Sequence, residues 1–459
     1  MDKNNKKTFY IHTFGCQMNF HDSEKISGVL SENGFSEAAS GEGAGLIIFN
    51  TCSIREKAEQ KFFSELGRLK KLKLQRPDLK IAVTGCVAQQ MGGQLLKRAP
   101  YVDFIIGPQN LHAVKDIMHL KDNVTVSIGE NPELASMELP AGRKKKPGAW
   151  VSIMYGCDNF CTYCIVPHTR GREVCRPWDS IRRELEGLAA EGFKEVTFLG
   201  QNVNSYRSDV DFPGLLELAS RIAGIERMRF VTSHPRDFSD GLIGALGTLE
   251  KLCEHIHLPL QSGSDDILRR MNRRYRFDDY RKKIEKLRRE VPNIAITTDI
   301  IAGFPGETAD DHQATMDALK EIEYDGIFAF KYSPRPGTAA SVFPDQVPDA
   351  ERASRLNEIL ALQNDITYKK NRMLEGTIEE VMVEGPSEKD AGKLSGRTRT
   401  NKLVNVTPFK NPAPRNPEMN SGSEVLPGTV LRVKIFRAGL HSLSGRPLEA
   451  DVPEGESGF

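Results

Sequence analysis

The residues best suited to chemistry are cysteines. Cys157, Cys161 and Cys164 stand in the spacing C-x3-C-x2-C, with Asp158-Asn159-Phe160 and Thr162-Tyr163 between them. Three thiolates on one short loop can hold three irons of a cubane iron–sulfur cluster and leave the fourth iron without a protein ligand. An open iron can be chelated by a small molecule, by the same logic as the open position of a catalytic zinc. The alternative is a structural zinc knuckle, which needs a fourth ligand. His168, at C-x3-C-x2-C-x3-H, is the candidate for it.

A second set is spread along the first part of the chain. Cys16, Cys52 and Cys86 each follow a strand-like run, at 9–13, 46–49 and 81–84, and each sits next to Gly or Thr. They are 36 and 34 residues apart, about the length of one βαβ unit. Successive units of a parallel sheet bring such positions to its carboxyl edge, where α/β folds bind ligands. The competing reading is three buried thiols, since free Cys is commonly buried. Cys175 and Cys253 belong to neither set and read as ordinary thiols.

The elements that must position these residues follow from the hydrophobic pattern. In the amino-terminal part, Asp22 and Ser23 are expected to cap a helix that Gly34 ends, and residues 54–75 carry helix formers. Together with the three strands this predicts a small parallel α/β domain. Strand candidates then recur at 149–155, 195–199, 228–232, 255–260, 294–302 and 326–332, with helical stretches at 179–191, 213–223, 277–290 and 308–322. Six such units predict a partial (β/α)6 barrel with its function at the carboxyl ends of the strands. Those ends carry Gln201 and Asn202, Ser233 and His234, Gln261, Asp299 and Arg335. Turn geometry accounts for some of the Gly and Pro residues around them. Residues 350–374 read as one more helix, and 126–149 as a connector containing Pro132, Pro140 and the basic run Arg143-Lys144-Lys145-Lys146. From 377 onward the pattern changes to short alternating strands, at 377–383, 402–406 and 430–435, which suits a small antiparallel β-barrel.

Composition sets the limits. The chain has 459 residues, 39% hydrophobic and 27% charged, enough for real cores and several domains. No apolar run approaches the roughly 20 residues that span a bilayer. Met1 to Lys7 is basic with no apolar segment behind it, so a signal peptide is not expected and a cytoplasmic location is. The net charge is +1, yet between 393 and 437 nine Lys or Arg face two Glu. A basic surface confined to the last domain suits a phosphate-bearing partner.

The cysteine loop, with Tyr163 before its third cysteine, resembles that of the radical S-adenosylmethionine superfamily. Thr13-Phe14-Gly15-Cys16-Gln17-Met18-Asn19, Asn50-Thr51-Cys52 and Thr84-Gly85-Cys86 resemble the amino-terminal domain of its methylthiotransferases. Residues 13–19 and Pro167-His168-Thr169-Arg170-Gly171-Arg172-Glu173 are similar to the branch that acts on N(6)-dimethylallyladenosine of tRNA, and the segment 395–402 resembles a TRAM domain. Cys175 departs from the pattern, which has Ser before Arg176-Pro177.

The resemblance implies four segments: an amino-terminal domain at 1–125, a linker at 126–142, a radical core at 143–373 and a TRAM-like RNA-binding domain at 376–449. It implies two [4Fe-4S] clusters, one on Cys157, Cys161 and Cys164 and an auxiliary one on Cys16, Cys52 and Cys86. S-adenosylmethionine would serve twice, as methyl donor and as radical source, with contacts expected at Gln201, Asn202, Ser233, Gln261, Asp299 and Arg335. The implied reaction adds a methylthio group to carbon 2 of the adenine next to the anticodon. The implied partners are the tRNA anticodon stem-loop and an electron donor such as a flavodoxin or ferredoxin system, with the protein a monomer. Arg397, Arg399 and Lys402, and Arg170, Arg172 and Arg176 beside the cysteine loop, are the expected tRNA contacts. Two alternatives stay open: a methylthiotransferase for threonylcarbamoyladenosine or a ribosomal protein, and an RNA-binding protein with structural metal sites.

Overall fold

The structure is a computed structural model that describes residues 7–53, 56–117, 124–131, 133, 139–143, 147–407 and 425–448. The amino-terminal domain is a six-stranded parallel sheet in the spatial order Ser36–Glu37, Thr8–Thr13, Leu46–Thr51, Lys80–Gly85, Phe104–Ile106, Thr125–Ser127. Leu46–Thr51 is buried along its whole length. Its residues alternate between two cores, Ile47 and Phe49 with Phe62 on one face, Leu46 and Ile48 with Phe9 and Ile26 on the other. That is why its sequence is an unbroken apolar run rather than an alternating one.

The first helix is Gln17–Glu32, starting directly after Cys16. Asp22 and Ser23, expected as its cap, lie inside it on a buried face, because Cys16 takes the capping position with extended backbone. The second helix is Glu56–Gln75. The sheet runs on to Ser127, and the chain at 139–142 then returns to the first helix, where Gly142 N donates to Glu24 O at 2.8 Å. A side chain at Gly28 would collide with the Pro140 carbonyl, at 2.2 Å from its Cβ, so the close approach needs a glycine there. Pro132 and Lys144 to Lys146 of the expected connector lie outside the described residues.

The central domain is an arc of two three-stranded parallel sheets. Gly148–Ser152, Glu195–Leu199 and Arg227–Phe230 form one half, and His255–His257, Ala295–Ala302 and Gly326–Lys331 the other. A bridge between Met228 and Leu252 joins the halves, so Gly148–Ser152 and Gly326–Lys331 are the outer edges. The helices Trp178–Ala190, Phe212–Ser220, Asp240–Thr248, Phe277–Glu290, Ala309–Ile322 and Asp349–Arg372 cover the outside through one continuous core. Thr308 starts the Ala309–Ile322 helix by a reciprocal capping box with Asp311. Asp240–Thr248 and the short Asp265–Arg270 were not expected, since their apolar stripes are brief and Gly-interrupted or highly charged.

The last domain is a closed five-stranded barrel, Ile378–Ser387, Asp390–Thr398, Leu403–Val406, Leu443–Pro447 and Val430–Ala438. Val381, Val383, Val404, Leu431, Val433 and Ile435 fill it. Among the described residues no helix is long and apolar enough to cross a membrane.

Candidate active site

The cysteine loop leaves the first barrel strand through Gly156, whose φ of +74° and contact with Arg172 O, 2.0 Å from a built Cβ, admit only glycine. Its backbone N donates to Gln201 Oε1 at 2.5 Å. Further bonds pin the loop: Cys157 N to Gly171 O at 3.2 Å, Thr162 N to Met271 O at 3.1 Å, and Asn272 Nδ2 to Phe160 O at 3.0 Å. Burial first, and the neighbouring Cys161 after it, push the Cys157 thiol up to about 11 and the Cys164 thiol up to about 12. Crowded thiols of this kind release their protons when a metal binds. Arg273, which the sequence did not single out, is 4% exposed and donates to Cys161 Sγ at 3.3 Å and to Pro259 O at 2.9 Å. A cationic hydrogen bond to a ligand sulfur tunes a cluster. Arg273 sits 109 residues beyond Cys164, and no local pattern marks it.

Beside this loop, several buried polar atoms have no partner: Asn202 Oδ1, Ser233 Oγ, His234 Nε2 and Gln261 Oε1. An orphaned buried polar atom is costly, and these four cluster at the ends of successive strands. Thr232 and Gln261 also hold left-handed backbone, with φ of +68° and +76°. Unpartnered donors and acceptors fit a polar ligand such as the methionine and ribose parts of S-adenosylmethionine. Three of the six expected cofactor contacts, Asn202, Ser233 and Gln261, meet this test. Of the other three, Gln201 Oε1 accepts from Gly156 N, Asp299 lies 3.4 Å from His257 Nε2, and Arg335 lies 3.8 Å from Glu59 of the amino-terminal domain.

Cys16, Cys52 and Cys86 come to one edge because the strands pair in register, Thr13 with Asn50 and Thr51 with Gly85. Gly15, with φ of +123°, packs so tightly that an added Cβ would lie 2.5 Å from Cys52 Cβ. Asn19 Nδ2 donates to Thr51 O at 2.8 Å, and Asn50 Nδ2 to Asn19 O at 2.7 Å. Burial raises the Cys86 thiol, while the Arg170 guanidinium beside it pulls the other way. Ser53 Oγ, Thr84 Oγ1 and Arg170 Nη1 are buried there without partners. Among the described residues, no three Cys, His, Asp or Glu side chains converge as ligands of a single metal ion. A cubane places each thiolate on its own iron, so both cysteine sets suit a cluster better than a zinc knuckle.

The expected RNA contacts are redistributed. Arg170 is 3% exposed and is bonded to Asp22 across the domain junction, so it faces the amino-terminal domain beside Cys86 rather than solvent. Arg176, also 3% exposed, is paired with Glu184 at 2.6 Å. Arg399 binds Glu254 at 2.7 Å and the carbonyls of Glu250 and Leu252, and Lys402 binds Asp325 at 3.2 Å and Asn371 at 2.9 Å. Both fasten the small barrel to the core. Arg397 pairs with Glu384 at 3.1 Å on the surface. Arg172 pairs with Asp158 at 3.1 Å yet is 67% exposed at its side chain, over the Phe160 ring at 5.1 Å. Cys175 accepts from Arg207 N, and Cys253 is a core thiol.

Two family models match this chain, Uncharacterized protein family UPF0004 over residues 8–107 and the Radical SAM superfamily over 151–319. The tRNA-2-methylthio-N(6)-dimethylallyladenosine synthase of Thermodesulfovibrio yellowstonii is 50% identical over 440 residues, covering 96% of this chain and 98% of that protein. The chain belongs to the tRNA-2-methylthio-N(6)-dimethylallyladenosine synthase family. The synthase of Clostridium botulinum strain Okra is 47% identical over 96% of this chain and 97% of its own. Among solved structures, the radical S-adenosylmethionine methyltransferase TsrM from Kitasatospora setae matches with a TM-score of 0.53 at 13% identity, over 73% of this chain and 77% of that one. This likeness concerns the fold, and it agrees with the radical-core architecture expected for the synthase family.

Proposed function

We propose that this enzyme methylthiolates carbon 2 of N(6)-dimethylallyladenosine next to the anticodon of tRNA, acting as a cytoplasmic monomer. The observation that carries the reading is Arg170, which pairs with Asp22 and lies beside Cys86 across the domain junction while the next residue, Gly171, accepts from Cys157 N. Near-full-length identity to the synthases supports the substrate.

Cys157, Cys161 and Cys164 would hold a [4Fe-4S] cluster, which would supply one-electron reducing chemistry toward S-adenosylmethionine. Asn202, Ser233 and Gln261 bind and orient the cofactor through their unpartnered polar atoms. Cys16, Cys52 and Cys86 would hold the second [4Fe-4S] cluster, which would supply the sulfur chemistry of the reaction. Arg273 and Arg170 place a buried cation against each cysteine set. A flavodoxin or ferredoxin system would deliver the electron. Carbon 2 of adenine has no acidic proton or leaving group, so no His/Asp acid–base pair is required.

The test separates the two cysteine sets in one series of preparations. The C157A/C161A/C164A variant should form no 5′-deoxyadenosine under reducing, anaerobic conditions. The C16A/C52A/C86A variant should hold about half the wild-type iron, still form 5′-deoxyadenosine, and make no methylthioadenosine. Methylthiolation by that second variant would show the amino-terminal domain to be structural only and would overturn the two-cluster reading.

A further inference from the structure

The open arc leaves one face of its last strand uncovered. In Gly326–Lys331, Ile327 and Ala329 pack against the helix-covered core, whereas Phe328 and Phe330 point the other way and are 53% and 41% exposed. In a barrel built this way, the face opposite the helices is the lumen. Register places Phe328 beside Asp299 and Phe330 beside Ile301. His257 meets the Phe328 ring edge-on at 5.7 Å and lies 3.4 Å from Asp299. Two large apolar rings therefore stand exposed in the lumen, in a row with a carboxylate and an imidazole. Exposed apolar clusters within a concave site mark binding. A separate groove of about 360 Å³ at the start of this strand is lined by Phe328, by Gln363 and Thr367 of the covering helix, and by Arg397, Asn401 and His441 of the small barrel.

We propose that Phe328 and Phe330 form the stacking wall that receives the target adenine, flipped out of its RNA loop, with the Asp299 carboxylate accepting the exocyclic N6–H. This rests on the reading that the substrate is an N(6)-alkylated adenosine of tRNA. RNA readers take unpaired bases by stacking them on aromatic side chains. Side chains two apart on a strand are about 6.6–6.8 Å apart, twice the roughly 3.4 Å at which bases stack. One planar ring fits that gap. The N6 nitrogen of an alkylated adenine keeps one hydrogen for Asp299, and its hydrocarbon branch covers ring surface that plain adenine would leave wet. The wall thus selects for the alkyl group.

The test uses the cluster-loaded enzyme and two synthetic anticodon stem-loops, one carrying N(6)-dimethylallyladenosine and one plain adenosine. Phe328→Ala and Phe330→Ala should each weaken binding of the alkylated RNA at least tenfold, raise KM more than they lower kcat, and narrow the preference over plain RNA. Phe328→Tyr and Phe330→Tyr should restore most of the preference. RNA-independent formation of 5′-deoxyadenosine and the melting temperature should stay at wild-type values, since both rings are exposed. Alanine variants that bind and discriminate like the wild type overturn this assignment while leaving the tRNA reading intact. A wild-type enzyme that binds neither stem-loop overturns both.

Discussion

Arg170 of the radical core donates to the carboxylate of Asp22 in the amino-terminal domain at 2.7 Å, and the two side chains are 4% and 1% exposed. Its second contact, Asn19 Oδ1 at 3.4 Å, ties it to the residue that also braces Thr51 beside Cys52. The peptide carbonyl of Arg170 accepts from Gln109 Nε2 at 2.7 Å. The six-residue segment that follows Cys164 thus anchors the Cys157–Cys164 loop to the amino-terminal domain beside Cys52 and Cys86.

Breaking a buried ion pair from one side leaves an uncompensated charge, which costs about 3–5 kcal/mol. Arg170→Met should lower unfolding stability by that order. Arg170→Met with Asp22→Leu should recover much of it, because no charge then remains buried. Denaturant titration of the four proteins gives the coupling directly. Additive losses would mean that the pair is not the tether.

Gly15 has no room for a side chain beside Cys52. Gly15→Ala should impose about 1–3 kcal/mol of local strain and displace Cys52 from its companions. Iron per chain should fall toward half, with 5′-deoxyadenosine formation retained. Full iron loading in this variant would show that Cys52 tolerates the shift.

The basic residues of the small barrel and of the cysteine loop should respond differently to removal. Arg172→Ala takes away an exposed charge, so the slope of log affinity for tRNA against log salt should become shallower by about one. Arg399→Ala breaks the bond to Glu254 and to two carbonyls. It should speed proteolysis at 373–377, between the Asp349–Arg372 helix and the barrel. An unchanged slope for Arg172→Ala would place the RNA away from the loop.

His255 is held down to about 3 from its ordinary 6.5 by burial first, then by Arg229 and His257, with Arg397 adding to this and Asp325 opposing it. A depressed histidine is neutral in the folded protein and gains its proton only on unfolding. Its contribution is complete above pH 6.5 and is lost as pH falls toward 3. Between pH 6.5 and 5 this one group should cost about 1–2 kcal/mol of stability. His255→Gln should flatten the decline over that interval. Equal pH slopes for the two proteins would refute the assignment.

The local pattern determined much of this protein. The spacing of Cys157, Cys161 and Cys164 puts three ligands on one loop whatever surrounds it, because seven residues cannot separate far. The apolar runs before Cys16, Cys52 and Cys86 are buried strands, and parallel pairing in register leaves the residues after them at one edge. The six strands of the core and five of its helices were legible for the same reason, since their periodicity is local.

Tertiary structure decided which charges meet. Arg170 and Asp22 lie 148 residues apart, and Arg399 and Glu254 lie 145 apart, so nothing near either residue announces its partner. An arginine beside a cysteine loop and an arginine in a basic barrel both look like phosphate contacts in sequence. Burial turned the first into a domain tether and docking turned the second into a clamp. Arg273 reached Cys161 only because Asn272 and Met271 hold the loop from across the barrel. The capping site of the first helix moved to Cys16, because the close pack of Gly15 on Cys52 sets where the helix can begin. Local pattern fixes an element and the face it offers. Which side chain ends up satisfied and which stays unpartnered depends on surfaces that meet only when the domains pack.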